Sequence, residues 1–220
     1  MNRASWPHKF ERMKTLITRE QRFPLAVFVL LGAVVLMFPF PGSLSIVLTR
    51  YLSPAANIPG VELLSEGMLL LLASTAATTM VFAWRSHPRR RVVVSAGAIG
   101  VVLAYLSSES IKSLISQPRP CQLWSIKGEC PPFGDWSLPS NHAALAFGAV
   151  WVIALATRRV GVTWFAICAA ALVAMARVMQ GAHYAHDVSL GALLGLAIPA
   201  AISCLVLAAR KKPHARNLNS

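Results

Sequence analysis

The sequence predicts an all-α protein that crosses a membrane several times, and three observations support this fold class. The 220 residues are 55% hydrophobic and only 13% charged, and the mean hydropathy is +0.56. This composition fits an integral membrane protein better than a soluble domain. The apolar residues are also gathered into runs of bilayer length, and most Lys and Arg residues lie in blocks between those runs.

Six apolar runs are each close to the ~20 residues that a helix needs to cross the hydrocarbon core. They lie at residues 24–41, 63–84, 92–115, 140–157, 161–180 and 187–208. The first run begins late and is followed by Pro-Phe-Pro-Gly instead of a small-residue cleavage site, so it is predicted to be a span and not a secretory signal. We therefore expect one six-helix membrane domain over 24–208, with basic tails at 1–23 and 209–220.

The basic residues predict the orientation. If six spans alternate, sixteen of the 21 Lys and Arg residues fall on one side of the membrane. By the positive-inside rule that side is cytoplasmic and holds both termini. The net charge of +13 does not indicate a nucleic-acid partner, because such a partner requires a basic face with stacking aromatics on a soluble domain. The predicted partners are the bilayer and a membrane lipid, and the sequence gives no oligomeric state.

The longest outer connection, residues 116–139, is rich in Pro and contains Cys121 and Cys130. On an oxidising membrane face two cysteines nine residues apart are predicted to form a disulfide. The charged residues of this loop, Lys127, Glu129 and Asp135, are interpreted as solvated. Glu62 and Glu66 lie at the outer mouth of the second span, where partial exposure explains them, although one of them could face a site there.

Three polar clusters are predicted to lie on the outer side, because the spans that carry them all end or begin there. They are Lys112-x6-Arg119-Pro120, Pro139-Ser140-Asn141-His142 and Arg177-x5-His183-x3-Asp187. Ionisable residues beside membrane-length apolar runs mark a functional site by default. If residues 183–187 are helical, His183 and Asp187 share a face, so that the carboxylate orients the imidazole.

The residue types suit a phosphate ester or anhydride. Lys112, Arg119 and Arg177 can bind non-bridging oxygens. Ser140 and Asn141 supply a hydroxyl and free N–H groups at a helix start, where an anion is favoured. Then His183 can attack phosphorus and His142 can protonate the leaving oxygen. A metal site built on these histidines is disfavoured, because the three cations would repel a metal ion. His186 is interpreted as a supporting or interfacial residue.

The three clusters resemble the signature of the type 2 phosphatidic acid phosphatase superfamily: Lys-x6-Arg-Pro, Pro-Ser-Gly-His and Ser-Arg-x5-His-x3-Asp. The resemblance covers about residues 61–205. It implies a six-helix membrane phosphatase that needs no metal or other cofactor and passes through a phosphohistidine. By position it makes His183 the nucleophile, Asp187 its partner, His142 the acid, and Lys112, Arg119, Ser140 and Arg177 the phosphate ligands. Two positions depart from the pattern, because Asn141 replaces Gly and Ala176 replaces Ser.

The predicted function is therefore hydrolysis of a lipid phosphate at the outer face of the cytoplasmic membrane. Undecaprenyl diphosphate is favoured as substrate, and phosphatidylglycerol phosphate, phosphatidic acid and lipid A phosphates also fit. Two alternatives stay open. A phosphotransferase would use the same histidines but pass the phosphoryl group to an acceptor other than water. A lipid or anion transporter would use the basic cluster without chemistry.

Overall fold

The computed structural model describes residues 17–36, 42–126 and 130–216, and every regular element in these ranges is helical. The α-helices are α1 (Arg19–Leu36), α2 (Leu44–Leu52), α3 (Val61–Ser86), α4 (Arg91–Ile115), α5 (Pro120–Leu123), α6 (Asn141–Thr157), α7 (Val160–Met179) and α8 (Ala185–Arg216). Short 3₁₀ turns, Ser53–Asn57 and Pro88–Arg90, precede α3 and α4. The all-α prediction is confirmed for the described residues.

Among the described residues, four stretches are long and apolar enough to cross a bilayer: Val61–Ser86, Pro88–Leu123, Val160–Met179 and Ala185–Arg210. Helix α6 is apolar but has only 17 residues. The predicted first span continues beyond α1 into residues 37–41, which lie outside the described residues, as do most of the N-terminal tail and the end of the C-terminal tail. The six-span count, the orientation and the domain bounds therefore stay predictions.

The bundle has an apolar surface and a core made largely of small residues. Large side chains such as Leu63, Leu70, Phe82 and Phe165 are exposed, whereas Ala143, Ala144, Ala146 and Ala154 are fully buried. In a bilayer there is no hydrophobic gain from hiding Leu or Phe between helices, so close approach of small residues holds the helices together instead. This surface fits lipid contact.

Helices α4, α6 and α8 form the centre of the bundle, and glycines let α8 approach α6 closely. A Cβ on Gly191 would lie 2.3 Å from the backbone oxygen of Ser140, and one on Gly195 would lie 2.3 Å from that of Ala144. A larger residue at either position would push the two helices apart. Their contact places the first turn of α8 directly beside the start of α6.

The opposite end of the bundle is closed by a buried polar contact of α1. The side-chain amide of Gln21 donates to the Ala154 carbonyl at 3.2 Å and to Thr163 Oγ1 at 2.8 Å. These bonds attach α1 to the end of α6 and the beginning of α7. The polar clusters all lie at the other end.

Candidate active site

The structure brings the three polar clusters together at one end of the bundle. Lys112 lies in the last turn of α4 and Arg177 in the last turn of α7, Ser140 caps the start of α6, and Asp187 lies in the first turn of α8. The backbone N–H of Ser140 donates to the carbonyl of Asp187 at 3.0 Å, which joins the second and third clusters directly. Helix ends that meet in this way can present free N–H groups and charged side chains to one ligand.

His183 is held by a backbone carbonyl and not by the carboxylate predicted to orient it. Its Nδ1 lies 2.8 Å from the Ser137 carbonyl oxygen, whereas Nδ1 and Asp187 Oδ2 are 3.6 Å apart. A carbonyl only accepts, so Nδ1 carries the proton and Nε2 keeps its lone pair. Arg119 Nη1 then donates to that nitrogen at 3.3 Å. His183 and Asp187 thus lie close together, but without a direct hydrogen bond between their side chains.

The physical reason is that His183 is not helical. Helix α7 ends at Met179, Gly181 turns the chain with a φ of +67°, and α8 begins only at Ala185. The Asp187 carboxylate reaches back to cap this new helix, because its Oδ2 accepts the N–H of Tyr184 at 2.7 Å. Its other donors are Ser137 Oγ and Gln117 Nε2, the latter at 3.0 Å. Asp187 therefore fixes the loop that carries His183.

Asp135 is 44% exposed, as expected of a solvated loop charge, but it also pairs with the cations of the site. Its carboxylate accepts from Arg119 Nη2 at 2.7 Å and lies 3.8 Å from Lys112 Nζ. Lys112 also lies 3.2 Å from Glu109. Arg119 is 3% exposed and donates further to the Ala182 carbonyl at 2.8 Å. Lys127 and Glu129 lie outside the described residues. A phosphate bound here would compete with these carboxylates for the same Arg and Lys donors.

Arg177 has a buried donor without a hydrogen-bond partner among the described residues. Its Nη1 donates to Gln180 Oε1 at 2.8 Å, and the Gln180 amide in turn donates to Ser65 Oγ at 3.1 Å. Its Nε is buried and has no hydrogen-bond partner among the described residues. An unpaired buried donor is costly unless a ligand satisfies it. An anion beside Arg177 would satisfy it.

His142, in the first turn of α6, pairs with an acidic residue from another helix. Its Nε2 lies 2.9 Å from Glu66 Oε1. His186 is buried, and its two ring nitrogens contact Ser45 and Gln117 at 2.8 and 3.2 Å, in agreement with a supporting role.

Sequence reasoning missed Gln117, Ser137 and Gln180. Their signal was proximity to the clusters, since each lies within three residues of Arg119, Ser140 or Arg177.

Burial and charge keep the His183 imidazole neutral. Burial holds its pKa well below the ordinary value, and the charges of Arg119, Arg177 and Lys112 lower the pKa further. A neutral imidazole with an Nε2 lone pair among three cations can attack an electron-poor centre that carries anionic oxygens. No group of three or more His, Cys, Asp or Glu suited to hold a metal ion occurs in the described ranges.

A cavity of about 440 Å³ adjoins Arg177. Its other walls are the connection before α3 and the stretch that follows Cys130, including Pro59, Pro131 and Pro132. The disulfide between Cys121 and Cys130, with Cα atoms 5.8 Å apart, anchors that stretch beside α5. The cavity gives a polar group room next to the Arg177 side chain.

We expect the Cys121–Cys130 bridge in protein isolated from its membrane under oxidising conditions. Mass spectrometry of an unreduced digest, alkylated after denaturation, should detect the two peptides as one linked species. Cys168 in α7 has a free thiol. It serves as the internal control and should be alkylated in the same digest. Alkylation of Cys121 and Cys130 without reduction would contradict the bridge.

A family model describes more than half of this chain. The model of the PAP2 superfamily matches residues 92–211, the segment that contains all three clusters. The chain belongs to the PAP2 superfamily.

This PAP2 chain is similar in sequence to a known protein and in fold to a solved structure. It is 31% identical over 140 residues to the bacitracin transport permease protein BcrC of Bacillus licheniformis, covering 63% of this chain and 66% of that protein, slightly less than two thirds of its length. Its fold is similar to the crystal structure of LpxE from Aquifex aeolicus, with a TM-score of 0.55 and 21% identity, covering 76% of this chain and 98% of the other.

This PAP2 chain differs from the signature at Asn141, and the structure gives that side chain a position. Its amide donates to Glu109, and its carbonyl oxygen accepts from Ser108 Oγ at 2.7 Å. Asn141 therefore links the start of α6 to the last turns of α4. At the second departure, Ala176 is fully buried in α7.

Proposed function

We propose that this chain is an integral membrane lipid phosphatase that works through a phosphohistidine on His183. Membership of the PAP2 superfamily supports a membrane phosphatase that acts on phosphate esters. The observation that carries the finer proposal is the state of His183. It is buried and neutral, and its unprotonated Nε2 lies 3.3 Å from Arg119 Nη1. The charges of Lys112 and Arg177 also act on it.

The proposed roles follow from these contacts. Lys112, Arg119 and Arg177 bind the non-bridging oxygens, together with Ser140 and the free N–H groups at the start of α6. His183 Nε2 attacks phosphorus in line, and His142 protonates the leaving oxygen. Asp187 acts indirectly, because it holds the loop of His183. Asn141 contributes its backbone, since its side chain is engaged by Glu109 and Ser108.

The proposed substrate is an amphiphile whose phosphate sits at headgroup level, with undecaprenyl diphosphate favoured. A second phosphate would fit the cavity beside the Arg177 side chain. Phosphatidylglycerol phosphate and phosphatidic acid are the other candidates. We further propose the six-span arrangement with both termini cytoplasmic and a domain over 24–208, which puts the site at the outer face of the cytoplasmic membrane.

Transport is a second candidate function, and the name of one relative favours it, because BcrC is called a transport permease protein. A carrier that only binds an anionic lipid would need the three cations. It would have no use for a neutral imidazole with its lone pair directed at a guanidinium. The two candidates differ in one observable, since only the phosphatase releases inorganic phosphate.

The test is phosphate release by purified protein in detergent from undecaprenyl diphosphate, phosphatidylglycerol phosphate and phosphatidic acid. We expect release from at least one lipid, and the relative kcat/KM values rank the substrates. A phosphotransferase would release phosphate only without an acceptor lipid or sugar. When an acceptor is added, it would pass the phosphoryl group to that acceptor instead of to water. Binding without release from any lipid, by folded protein, would favour the transporter.

The proposed reaction needs no metal ion, because three protein cations supply the charge stabilisation that a metal would otherwise supply. We expect EDTA at millimolar concentration to leave the rate of phosphate release unchanged. The control is the same assay after addition of excess Mg²⁺ or Zn²⁺. A loss of activity in EDTA that Mg²⁺ restores would contradict this expectation.

A further inference from the structure

Glu66 makes a contact that the proposed roles above do not use. It lies in the second turn of α3, and its side chain is 51% exposed. Its Oε1 nevertheless lies 2.9 Å from Nε2 of His142 on α6. The sequence explained this glutamate by its position at the mouth of a span. The structure instead joins it to the histidine proposed to be the acid.

The other charges that act on His142 make this contact important. Burial of the ring disfavours a positive imidazole, and so do the charges of Arg177 on α7 and Lys112 on α4. In the free site these effects outweigh Glu66. Glu66 on α3 is the acidic group that acts on it in the opposite direction. An acid must carry its proton before the reaction begins. A bound phosphate offsets the charges of the cations, and Glu66 then helps to keep that proton on His142.

The contact also assigns the two ring nitrogens. Nε2 is bonded to Glu66, whereas Nδ1 has no hydrogen-bond partner within residues 17–36, 42–126 and 130–216. We propose that Glu66 is a positioning residue that holds His142 through Nε2 as an imidazolium, so that Nδ1 carries the proton given to the leaving oxygen. This inference rests on the proposed phosphatase function.

The two half-reactions balance with this assignment. In the first, the His183 Nε2–P bond forms while the P–O bond breaks, and the released electron pair on the leaving oxygen takes the proton from His142 Nδ1. His142 is then neutral and still donates from Nε2 to Glu66. In the second, water attacks phosphorus and its proton goes to His142 Nδ1. The P–N electron pair returns to His183, and the imidazolium is restored.

The position of Glu66 makes the inference testable without loss of the fold. An exposed ion pair contributes little to stability. Glu66→Gln keeps the size of the side chain and an oxygen acceptor but removes the charge. Glu66→Asp keeps the charge on a shorter side chain. The matched control is Glu20→Gln, an exposed glutamate at the start of α1, beside Gln21 at the opposite end of the bundle.

The experiment compares two monoesters that differ in their need for an acid: dodecyl phosphate, whose alkoxide is a poor leaving group, and p-nitrophenyl phosphate, whose phenolate leaves without protonation. General acid catalysis contributes roughly 10²–10⁴-fold. We expect Glu66→Gln to lower kcat for dodecyl phosphate by about 10–100-fold, and for p-nitrophenyl phosphate by less than about threefold. Glu66→Asp should recover part of the loss, and Glu20→Gln should match the wild type on both.

Three results would overturn the inference. An equal loss on both substrates would mean that Glu66 supports the structure or phosphate binding and not proton transfer. Unchanged kcat on both substrates would mean that His142 does not depend on Glu66. If wild-type protein releases phosphate from neither compound nor from the lipid panel, the proposed function itself fails and this inference fails with it. The first two results leave the phosphatase intact, so the two failures are distinguishable.

Discussion

Replacement of His183 with glutamine is expected to lower phosphate release by about 10³-fold or more, because the variant lacks the nucleophile. His183 is 2% exposed at its side chain, and its Nε2 is the one ring nitrogen left with a lone pair. Glutamine is neutral and polar, so the cavity and the charges around it persist. The effect should therefore fall on kcat while substrate binding is retained. The measurement is the steady-state rate on the best substrate of the lipid panel.

A quench experiment tests the covalent role of His183 directly. Wild-type protein mixed with substrate labelled in the transferred phosphoryl group should carry an alkali-stable, acid-labile label, as expected for a phosphoramidate. His183→Gln should carry none. His87→Gln is the matched control, since His87 lies in the connection between α3 and α4 and contacts the Phe82 ring. Labelling or turnover in His183→Gln close to wild type would rule out this residue as nucleophile.

Replacement of Arg119 with lysine should cost about 10²–10³-fold in kcat/KM, although the charge is kept. The guanidinium of Arg119 donates to His183, Asp135 and the Ala182 carbonyl at the same time. An ammonium on a flexible stem cannot reproduce this planar set of donors or bind two phosphate oxygens side by side. We expect kcat to fall more than KM rises, because the transferring phosphoryl group needs these donors most in the transition state.

The control for Arg119 is another arginine from the same end of the bundle. The guanidinium of Arg50 lies 4.9 Å from the centre of the Trp124 ring, so it interacts with an aromatic face and not with the phosphate ligands. Arg50→Lys should keep kcat/KM within about threefold. Both variants should be checked for their thermal unfolding midpoints. A folded Arg119→Lys protein with wild-type kcat/KM would exclude Arg119 from the phosphate site.

The sequence predicted which residues would meet, because alternating spans force the ends of α4 and α7 and the starts of α6 and α8 onto one face. It did not predict which atoms would pair. The four-residue spacing of His183 and Asp187 fits one helical turn, but Gly181 interrupts the helix and moves His183 into a loop. Asp135 looked like a loop charge because no sequence pattern encodes how a disulfide-anchored loop folds back onto Arg119.

The number of spans shows a different limit. Hydropathy identified six runs, and four stretches of the structure meet the length and composition needed to cross a bilayer. Helix α6 has 17 residues and is almost wholly buried by its neighbours, so its apolar character serves packing as much as lipid contact. A hydropathy profile cannot distinguish these two uses, because a core alanine and a lipid-facing leucine both raise it.

Ser137 supports the site through its side-chain hydroxyl and through its backbone carbonyl, and a substitution can remove only the first of these groups. Its hydroxyl, which holds Asp187, disappears in any Ser137→Ala allele. Its carbonyl, which sets the tautomer of His183, survives every substitution, because every amino acid brings the same peptide oxygen. The orientation of the His183 ring therefore depends on the path of the main chain at Ser137 and not on the side chain there. Within residues 136–140, insertions and deletions are therefore expected to misorient His183, whereas single-residue replacements at Ser137 should leave its tautomer unchanged.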